Sequence, residues 1–255
     1  MNPYVFFVGC PRSGTTLIQR LGDAHPGAVG RGGAEPVVGA AHLGHELRSL
    51  VMLDAVDLAR AIKGRQVSCT EVMVAYLEHI DRMNRHVNAI VSLQDPDALV
   101  RQARERDHQL ARGEYLGFLH GFPQAIKDLA LTKGIRTTQG SPILAGFVPQ
   151  VDTIFVQRMK QHGAIVIGKT NVPEFGLGSQ TYNPVFGTTL NAYDTTKTAG
   201  GSSGGAAVAL ALRMQAVSDG SDFAGSLRNP AAFNNVFGFR PSFGRVPAGP
   251  VVDVF

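Results

Sequence analysis

Cysteine and long apolar runs are both scarce in this 255-residue chain. Cys10 and Cys69 are the two cysteines, so we expect neither a disulfide framework nor a cysteine-based zinc site, and a reducing, cytoplasmic location is the default. No apolar run approaches the roughly 20 residues that cross a bilayer as a helix. The apolar start at 4–8 is too short for a signal-peptide core and has no basic segment before it. We therefore predict no membrane association.

Charge of one sign is also missing, because charged residues make up 17% of the chain and the net charge is only +4. The densest charged stretch, 101–112, interleaves arginines with Glu105 and Asp107, which is typical of a solvated helix face. A nucleic-acid surface needs an unbroken positive stripe, so nucleic acid is not an expected partner. Hydrophobic residues, in contrast, reach 44%, which is enough for a sizeable core.

A change of pattern near residue 49 divides the chain into two predicted domains, 1–48 and 49–255. The first contains a strand at 4–8, a short helix at 17–21 and a glycine-rich linker. In the second, strands alternate with helices, which favours an α/β fold with a largely parallel sheet that is covered on both faces. The predicted helices cover 54–63, 70–83 (capped by Thr70), 97–112, 153–162 and 206–214, and the predicted strands cover 87–93, 122–129 and 164–167.

Reactive side chains concentrate in three places. Lys127 lies at the end of an apolar strand, a glycine-rich stretch at 200–205 contains two serines, and a second glycine-containing stretch covers 220–228. Each feature alone is usual for an exposed lysine or a flexible loop. Their joint occurrence favours a catalytic site.

The stretch 201–205 also fits the G-x-S-x-G nucleophile elbow, with Ser203 as the nucleophile. That elbow requires an apolar strand before it and a histidine after it, but 193–199 is polar and the last histidine is His162. The α/β-hydrolase order is therefore excluded, while a serine–histidine pair in another order stays open. Without a histidine, the available base is a lysine, and the apolar setting of Lys127 could lower its pKa by desolvation.

Five segments of the second region resemble the first half of an amidase signature enzyme, and they occur in that family's order. They are GFPQAIKD at 121–128, GKTNVPEF at 168–175, FGTTLN at 186–191, TAGGSSGG at 198–205 and GSDFAGSLRNP at 220–230. The resemblance covers about residues 50–255 and implies an amidase-signature-type mixed sheet flanked by helices on both faces.

The resemblance also implies a Ser-Ser-Lys triad. Ser226 matches the nucleophile, Ser202 the bridging serine that follows a cis peptide, and Lys127 the base. Neutral Lys127 would take a proton from Ser202, which takes one from Ser226, and Ser226 would attack an amide carbonyl to form an acyl-enzyme. The implied substrate is a small carboxamide, and neither a cofactor nor a metal is implied.

A supporting set of residues surrounds the implied triad. Backbone N–H groups would form the oxyanion hole around the nucleophile, and nearby side chains would fix the loops. The residues that match the oxyanion hole are Phe223, Ala224 (glycine in many members) and Gly225, together with the nucleophile itself. The residues expected to support the loops are Ser203, Asp222 and Arg228, with Asp222 and Arg228 forming a pair.

Two other functions remain open. The glutaminase subunit of a tRNA-dependent amidotransferase shares the triad but works inside a complex, whereas 226–235 looks more like stand-alone amidases. A catalytically inactive, truncated or fused remnant is the other alternative, because family members are roughly twice as long as the matching region. The absent half would leave apolar surface and a sheet edge exposed, so a homo-oligomer is a further expectation.

Residues 5–26 do not look like an amidase. The segment FVGCPRSGTTL at 7–17 resembles the phosphosulfate-binding loop of sulfotransferases, in which a strand leads into a loop whose N–H groups hold a phosphate. The rest of a sulfotransferase has no room before residue 50, so we expect a remnant or fused fragment without sulfonation activity. The residues that could bind an anion are Arg12, Ser13, Gly14, Thr15 and Thr16.

Overall fold

The computed structural model describes residues 50–242, 244–247 and 249, and the backbone of 4–8. The predicted anion loop at 12–16, the helix at 17–21 and the domain boundary near 49 lie outside the described residues. In chain order the strands are β1 (Tyr4–Val8), β2 (Ile90–Val91), β3 (Pro123–Lys127), β4 (Ile165–Thr170), β5 (Tyr182–Asn183), β6 (Gly187–Thr188) and β7 (Val217–Ser221). The helices are α1 (Ala55–Lys63), α2 (Cys69–Val87), α3 (Pro96–Ala111), α4 (Ile154–Gln161), α5 (Gly204–Ala211) and α6 (Arg228–Phe233), with single 3-10 turns at Pro142–Leu144 and Glu174–Gly176.

Helices α1, α3, α4 and α5 begin and end within about three residues of the predicted positions, α6 was not predicted, and α2 needs corrections at both ends. Ser68, and not Thr70, caps α2, because the Ser68 hydroxyl accepts from the Glu71 N–H and the Glu71 carboxylate accepts from the Ser68 N–H. The Thr70 hydroxyl donates instead to Asp107 of α3 at 2.6 Å. None of the helices in the described part of the chain is both long enough and apolar enough to cross a membrane.

The predicted strand at 87–93 is mostly wrong. Helix α2 continues to Val87 and ends at Asn88, which adopts a left-handed conformation with φ 52°. Only Ile90–Val91 then forms a strand, and it pairs antiparallel with β4. The apolar residues at 87–93 are compatible with either a buried helix end or a short strand, so their periodicity alone does not distinguish the two.

The three-stranded sheet, in the order β2-β4-β3, is mixed and not largely parallel. Strands β3 and β4 pair in parallel, β2 joins β4 in the antiparallel sense, and β1 pairs antiparallel with β7. The mixed sheet implied by the family resemblance is therefore confirmed. The expectation of a largely parallel sheet was wrong because it counted only strands that alternate with helices.

Helices cover both faces of the β3–β4 pair. Ala125 of β3 faces a core that also contains side chains from α1, α2, α3 and α5. The next residue, Ile126, faces a smaller core built with α4 and the loops beside it. Alternate residues of a strand point to opposite faces, so the continuous apolar run at β3 reflects burial on both sides.

Helix α5 packs unusually close to its neighbours, as its run of small residues predicts. A Cβ atom built on Gly205 would lie 2.3 Å from the backbone nitrogen of Asn171 and 2.6 Å from the carbonyl oxygen of Ala89. This approach holds the start of α5, and with it the adjoining serines, against the backbone just after β4 and just before β2.

Replacing Gly205 with alanine is therefore expected to lower the free energy of unfolding by about 1–3 kcal/mol, because backbone atoms on two sides would have to move. Gly146 is the matched control, since a Cβ atom there would meet nothing within 4 Å. Urea denaturation of both variants measures the difference. Equal stability of Gly205→Ala and Gly146→Ala would contradict this packing.

Candidate active site

Strand β3 places Lys127 at the centre of a buried cluster of hydroxyl groups. The Lys127 side chain is fully buried, and Nζ lies 2.8 Å from Ser202 Oγ, 2.7 Å from Ser203 Oγ and 2.7 Å from Ser221 Oγ. An ammonium donates all three of these hydrogen bonds, whereas a neutral amine donates two and accepts the third from a hydroxyl. The neutral form can therefore take a proton from a serine without any change of partners.

The surroundings of Lys127 favour that neutral form. Burial lowers the pKa of Lys127 to about 7, against an opposing effect of the nearby carboxylates of Asp219 and Asp222. A lysine whose pKa lies near neutrality is a usable general base. The sequence-based expectation that the apolar strand would desolvate this amine is consistent with the structure.

The serine loop is held against the sheet from two sides. The Gly201–Ser202 peptide is cis, as the family resemblance implies. Gly201 lies against the backbone of Ser179 and Gln180, where an added Cβ would come within 2.9 Å. The N–H of Ser203 donates to the carbonyl of Ser226 at 3.1 Å, which ties the loop that carries Ser202 to the loop that carries Ser226.

Ser226, the third residue of the predicted triad, is partly exposed. Among the described residues, its hydroxyl makes no hydrogen bond, so the structure joins Lys127 to Ser202 directly but does not join Ser202 to Ser226. Catalytic hydrogen bonds are often long before a substrate binds. Of the three residues of the predicted triad, two are therefore in direct contact, and the third lies on a loop bonded to theirs.

Asp222 organises the loop that carries Ser226. Its buried carboxylate accepts from the backbone N–H groups of Gly225, Leu227 and Arg228 at 2.7, 3.2 and 3.3 Å. The Arg228 guanidinium donates to both of its oxygens at 2.8 and 3.0 Å, so the two side chains form the predicted pair. Arg240, which the sequence did not single out, donates to the Asp222 carbonyl at 3.0 Å.

These donors keep the Asp222 carboxylate ionised. Burial alone would raise its pKa, but the Arg228 hydrogen bonds and the backbone N–H groups outweigh that effect and lower the pKa to about 2. The carboxylate therefore stays ionised across the working pH range, and the loop stability that it contributes is lost only as the pH falls toward 2.

The predicted oxyanion-hole residues differ in what their N–H groups do. Gly225 donates to Asp222 and is thereby occupied. In the part of the chain that the structure describes, the N–H groups of Phe223, Ala224 and Ser226 make no hydrogen bond, and Phe223 is 61% exposed. These N–H groups, and not that of Gly225, are the available donors.

Two residues near Lys127 were missed by the sequence reasoning, Ser221 and Asp219. Both lie on β7, whose sequence Val-Ser-Asp-Gly-Ser lacks the alternation of a half-buried strand, although every one of its residues is buried. Ser203, predicted to order the loop, contacts Lys127 Nζ directly and also donates to the Ser221 carbonyl at 3.3 Å. The position of Ser221 next to Asp222 in the matching segment was the available signal.

A cavity of about 430 Å³ lies beside the serine loop. Ser179 and Gln180, which touch Gly201, belong to its wall, and so do three exposed or half-exposed apolar side chains, Phe175, Leu177 and Tyr182. The Glu174 carboxylate in the same wall accepts from the Ser141 hydroxyl at 2.6 Å. The cavity therefore offers a mostly apolar surface beside the serine loop, and its wall contains none of Lys127, Ser202 and Ser226.

Comparison with known proteins gives one family and consistent structural neighbours. The family model described as Amidase matches residues 71–255. A glutamyl-tRNA(Gln) amidotransferase subunit of Alkaliphilus metalliredigens is 41% identical over 191 residues, which are 75% of this chain and 39% of that protein. The corresponding protein of Acidothermus cellulolyticus is 42% identical over 200 residues, or 78% of this chain and 39% of that protein.

Solved structures also resemble this chain. A bacterial aryl acylamidase of the amidase signature family aligns with a TM-score of 0.73 and 34% identity over 77% of this chain and 41% of that protein. A 6-aminohexanoate cyclic dimer hydrolase complexed with substrate aligns with a TM-score of 0.71 and 31% identity over 79% of this chain and 40% of that protein. The chain thus spans about two fifths of the length of the relatives that it matches.

Proposed function

Because the chain belongs to the amidase family, we propose that it cleaves a carboxamide C–N bond with Ser226 as the nucleophile, Ser202 as the bridging hydroxyl and Lys127 as the base. The observation that carries this proposal is the buried contact of 2.8 Å between Lys127 Nζ and Ser202 Oγ. A buried amine with a pKa of about 7 and a serine partner is suited to proton transfer.

In the proposed reaction, neutral Lys127 accepts the proton of Ser202 while Ser202 accepts the proton of Ser226. The Ser226 oxygen then attacks the amide carbonyl, and the N–H groups of Phe223, Ala224 and Ser226 stabilise the oxyanion. When the C–N bond breaks, Lys127 returns its proton through Ser202 to the leaving amine. Water attacks the resulting ester by the same relay, which releases the acid and restores Ser226.

The cavity supports a neutral substrate with an apolar portion. Its wall carries Phe175, Leu177 and Tyr182, and the one carboxylate among its described wall residues, that of Glu174, is already held by Ser141. An uncharged acyl or amine group would bury its surface there without leaving a charge unpaired.

A second candidate is a glutaminase that supplies ammonia inside an amidotransferase complex. The 41% identity to a subunit of a glutamyl-tRNA(Gln) amidotransferase favours it. This function predicts hydrolysis of glutamine alone, stimulated by partner proteins. Hydrolysis of simple aryl amides without stimulation would favour the first proposal.

A fluorophosphonate probe tests whether the site is active at all. We expect stoichiometric labelling of the wild-type chain at Ser226, identified by peptide mass spectrometry. Ser226→Ala should abolish the labelling, while Ser242→Ala, a serine outside the site, should leave it unchanged. A folded wild-type chain that fails to label would favour the inactive-remnant alternative over both enzymes.

A further inference from the structure

A second buried lysine lies on β4, the strand next to the one that carries the proposed base. Lys169 of β4 is fully buried, and its Nζ donates to the Ala130 carbonyl at 2.6 Å and to Thr132 Oγ1 at 2.8 Å. It stands on the strand parallel to β3, in register with Ile126, the neighbour of Lys127. The proposed reaction gives Lys169 no role, yet a buried ammonium is costly and requires compensation.

The Asp219 carboxylate of β7 acts electrostatically on both lysines. It is 1% exposed, and its two oxygens accept from the backbone N–H of Lys127 at 3.0 and 3.2 Å. The Asp219 side chain thus accepts the hydrogen bond that the backbone of a neighbouring strand would otherwise accept from the Lys127 N–H. Burial raises the pKa of Asp219, while the Lys127 N–H and the charges of Lys169 and Lys127 oppose that rise.

Besides Asp219, few charged groups act on Lys127 and Lys169. Asp222, on the loop after β7, adds a weaker field at Lys127. Asp128 follows β3 and accepts from the Thr138 N–H and hydroxyl, on the side of Lys169. On α4, Lys160 is paired with Asp152 at 2.8 Å and also acts on Lys169.

We propose that Asp219 is a positioning residue that holds β3 through the Lys127 N–H and sets the affinity of Lys127 Nζ for its proton, with Lys169 keeping Asp219 ionised. This inference rests on the proposed role of Lys127 as the base. Burial without a nearby anion would leave Nζ a weak base, because desolvation alone disfavours the ammonium. The negative charge of Asp219 restores proton affinity toward neutrality, where general-base catalysis is most effective.

Asp219→Asn tests the charge separately from the backbone contact, since the amide oxygen can still accept from the Lys127 N–H. We would follow the titration of Lys127 by NMR with lysine labelled at Cε and Nζ, and would assign its signal by its loss in Lys127→Ala. The midpoint should fall by about one pH unit. Asp107→Asn is the matched control, because Asp107 also accepts backbone N–H groups, at Cys69 and Thr70, but lies between α2 and α3. Its midpoint should equal that of the wild type.

Lys169→Gln changes the protonation of Asp219 without a substitution at Asp219 or Lys127. Loss of the Lys169 charge should make Asp219 easier to protonate. At pH 6–7 Asp219 would then carry less negative charge, so the midpoint of the Lys127 titration should fall. The double variant should fall no further than Asp219→Asn alone, because Lys169 acts through Asp219. Additive shifts would overturn that part of the proposal.

The failure of this inference and the failure of the proposed function are distinguishable. A Lys127 midpoint that is unchanged or raised in folded Asp219→Asn overturns the role of Asp219, even if fluorophosphonate labels Ser226. A lowered midpoint supports that role by itself, because the NMR titration does not depend on activity. Where Ser226 labels, the pH at which labelling is half-maximal should fall by the same amount in Asp219→Asn.

Discussion

Replacing Lys127 with alanine is expected to lower kcat/KM for an amide substrate by about 10⁴-fold or more. Within the described part of the chain, the substitution removes the only amine that bonds to the three serine hydroxyls. The proton of Ser226 then has no acceptor other than water. Initial rates on an aryl amide, together with circular dichroism to verify folding, measure the effect.

Lys160→Ala is the control for this substitution. Lys160 lies on α4 and pairs with Asp152, and its side chain is 31% exposed, so its loss should change kcat/KM less than about threefold. A folded Lys127→Ala variant that keeps more than a tenth of the wild-type activity would show that another group takes the proton.

Replacing Ser202 with alanine is expected to lower kcat/KM by about 10³-fold, within the range of a lost general acid–base step. Ser202, Ser203 and Ser221 lie equally close to Lys127 Nζ, at 2.7–2.8 Å, so distance alone does not select the bridging hydroxyl. The family resemblance selects Ser202. Ser203→Ala and Ser221→Ala should cost only about tenfold, because each removes one hydrogen bond from the amine and leaves the bridge in place.

Comparison of the three serine variants therefore identifies the bridge. Ser202→Ala should be the slowest, with kcat reduced and KM little changed, since the hydroxyl acts in the transition state. If Ser221→Ala or Ser203→Ala is as slow as Ser202→Ala, the proton follows a different route from Lys127 to Ser226.

The sequence was most informative where local chemistry decides the structure. Asp54 begins α1 and Gly64 ends it because a carboxylate cap and a glycine stop act within one turn. The apolar run before Lys127 correctly indicated a buried strand, and the alternation of strands with helices correctly indicated a sheet covered on both faces. The family resemblance then paired Lys127 with Ser202, which lie 75 positions apart and are in direct contact, and no local pattern could have done so.

The features that escaped prediction depend on tertiary partners. Strand β7 contains serine, aspartate and glycine, which disfavour a strand, and its burial depends on β1, β3 and α5. The role of Thr70 was misjudged because its partner, Asp107, lies 37 positions away on another helix. The pairing of Asp219 with the Lys127 backbone likewise joins two strands that are 92 positions apart.

The pH dependence of Ser226 labelling by a fluorophosphonate tests most directly whether Lys127 acts as a neutral, buried base. Lys127 is charged below its pKa of about 7 and neutral above it. The second-order rate of labelling should therefore rise about tenfold per pH unit from pH 5 to pH 6.5 and level off above about pH 7.5. A rate that is constant from pH 5 to pH 9, or one that rises only near pH 10 as for an exposed lysine, would contradict the proposed mechanism.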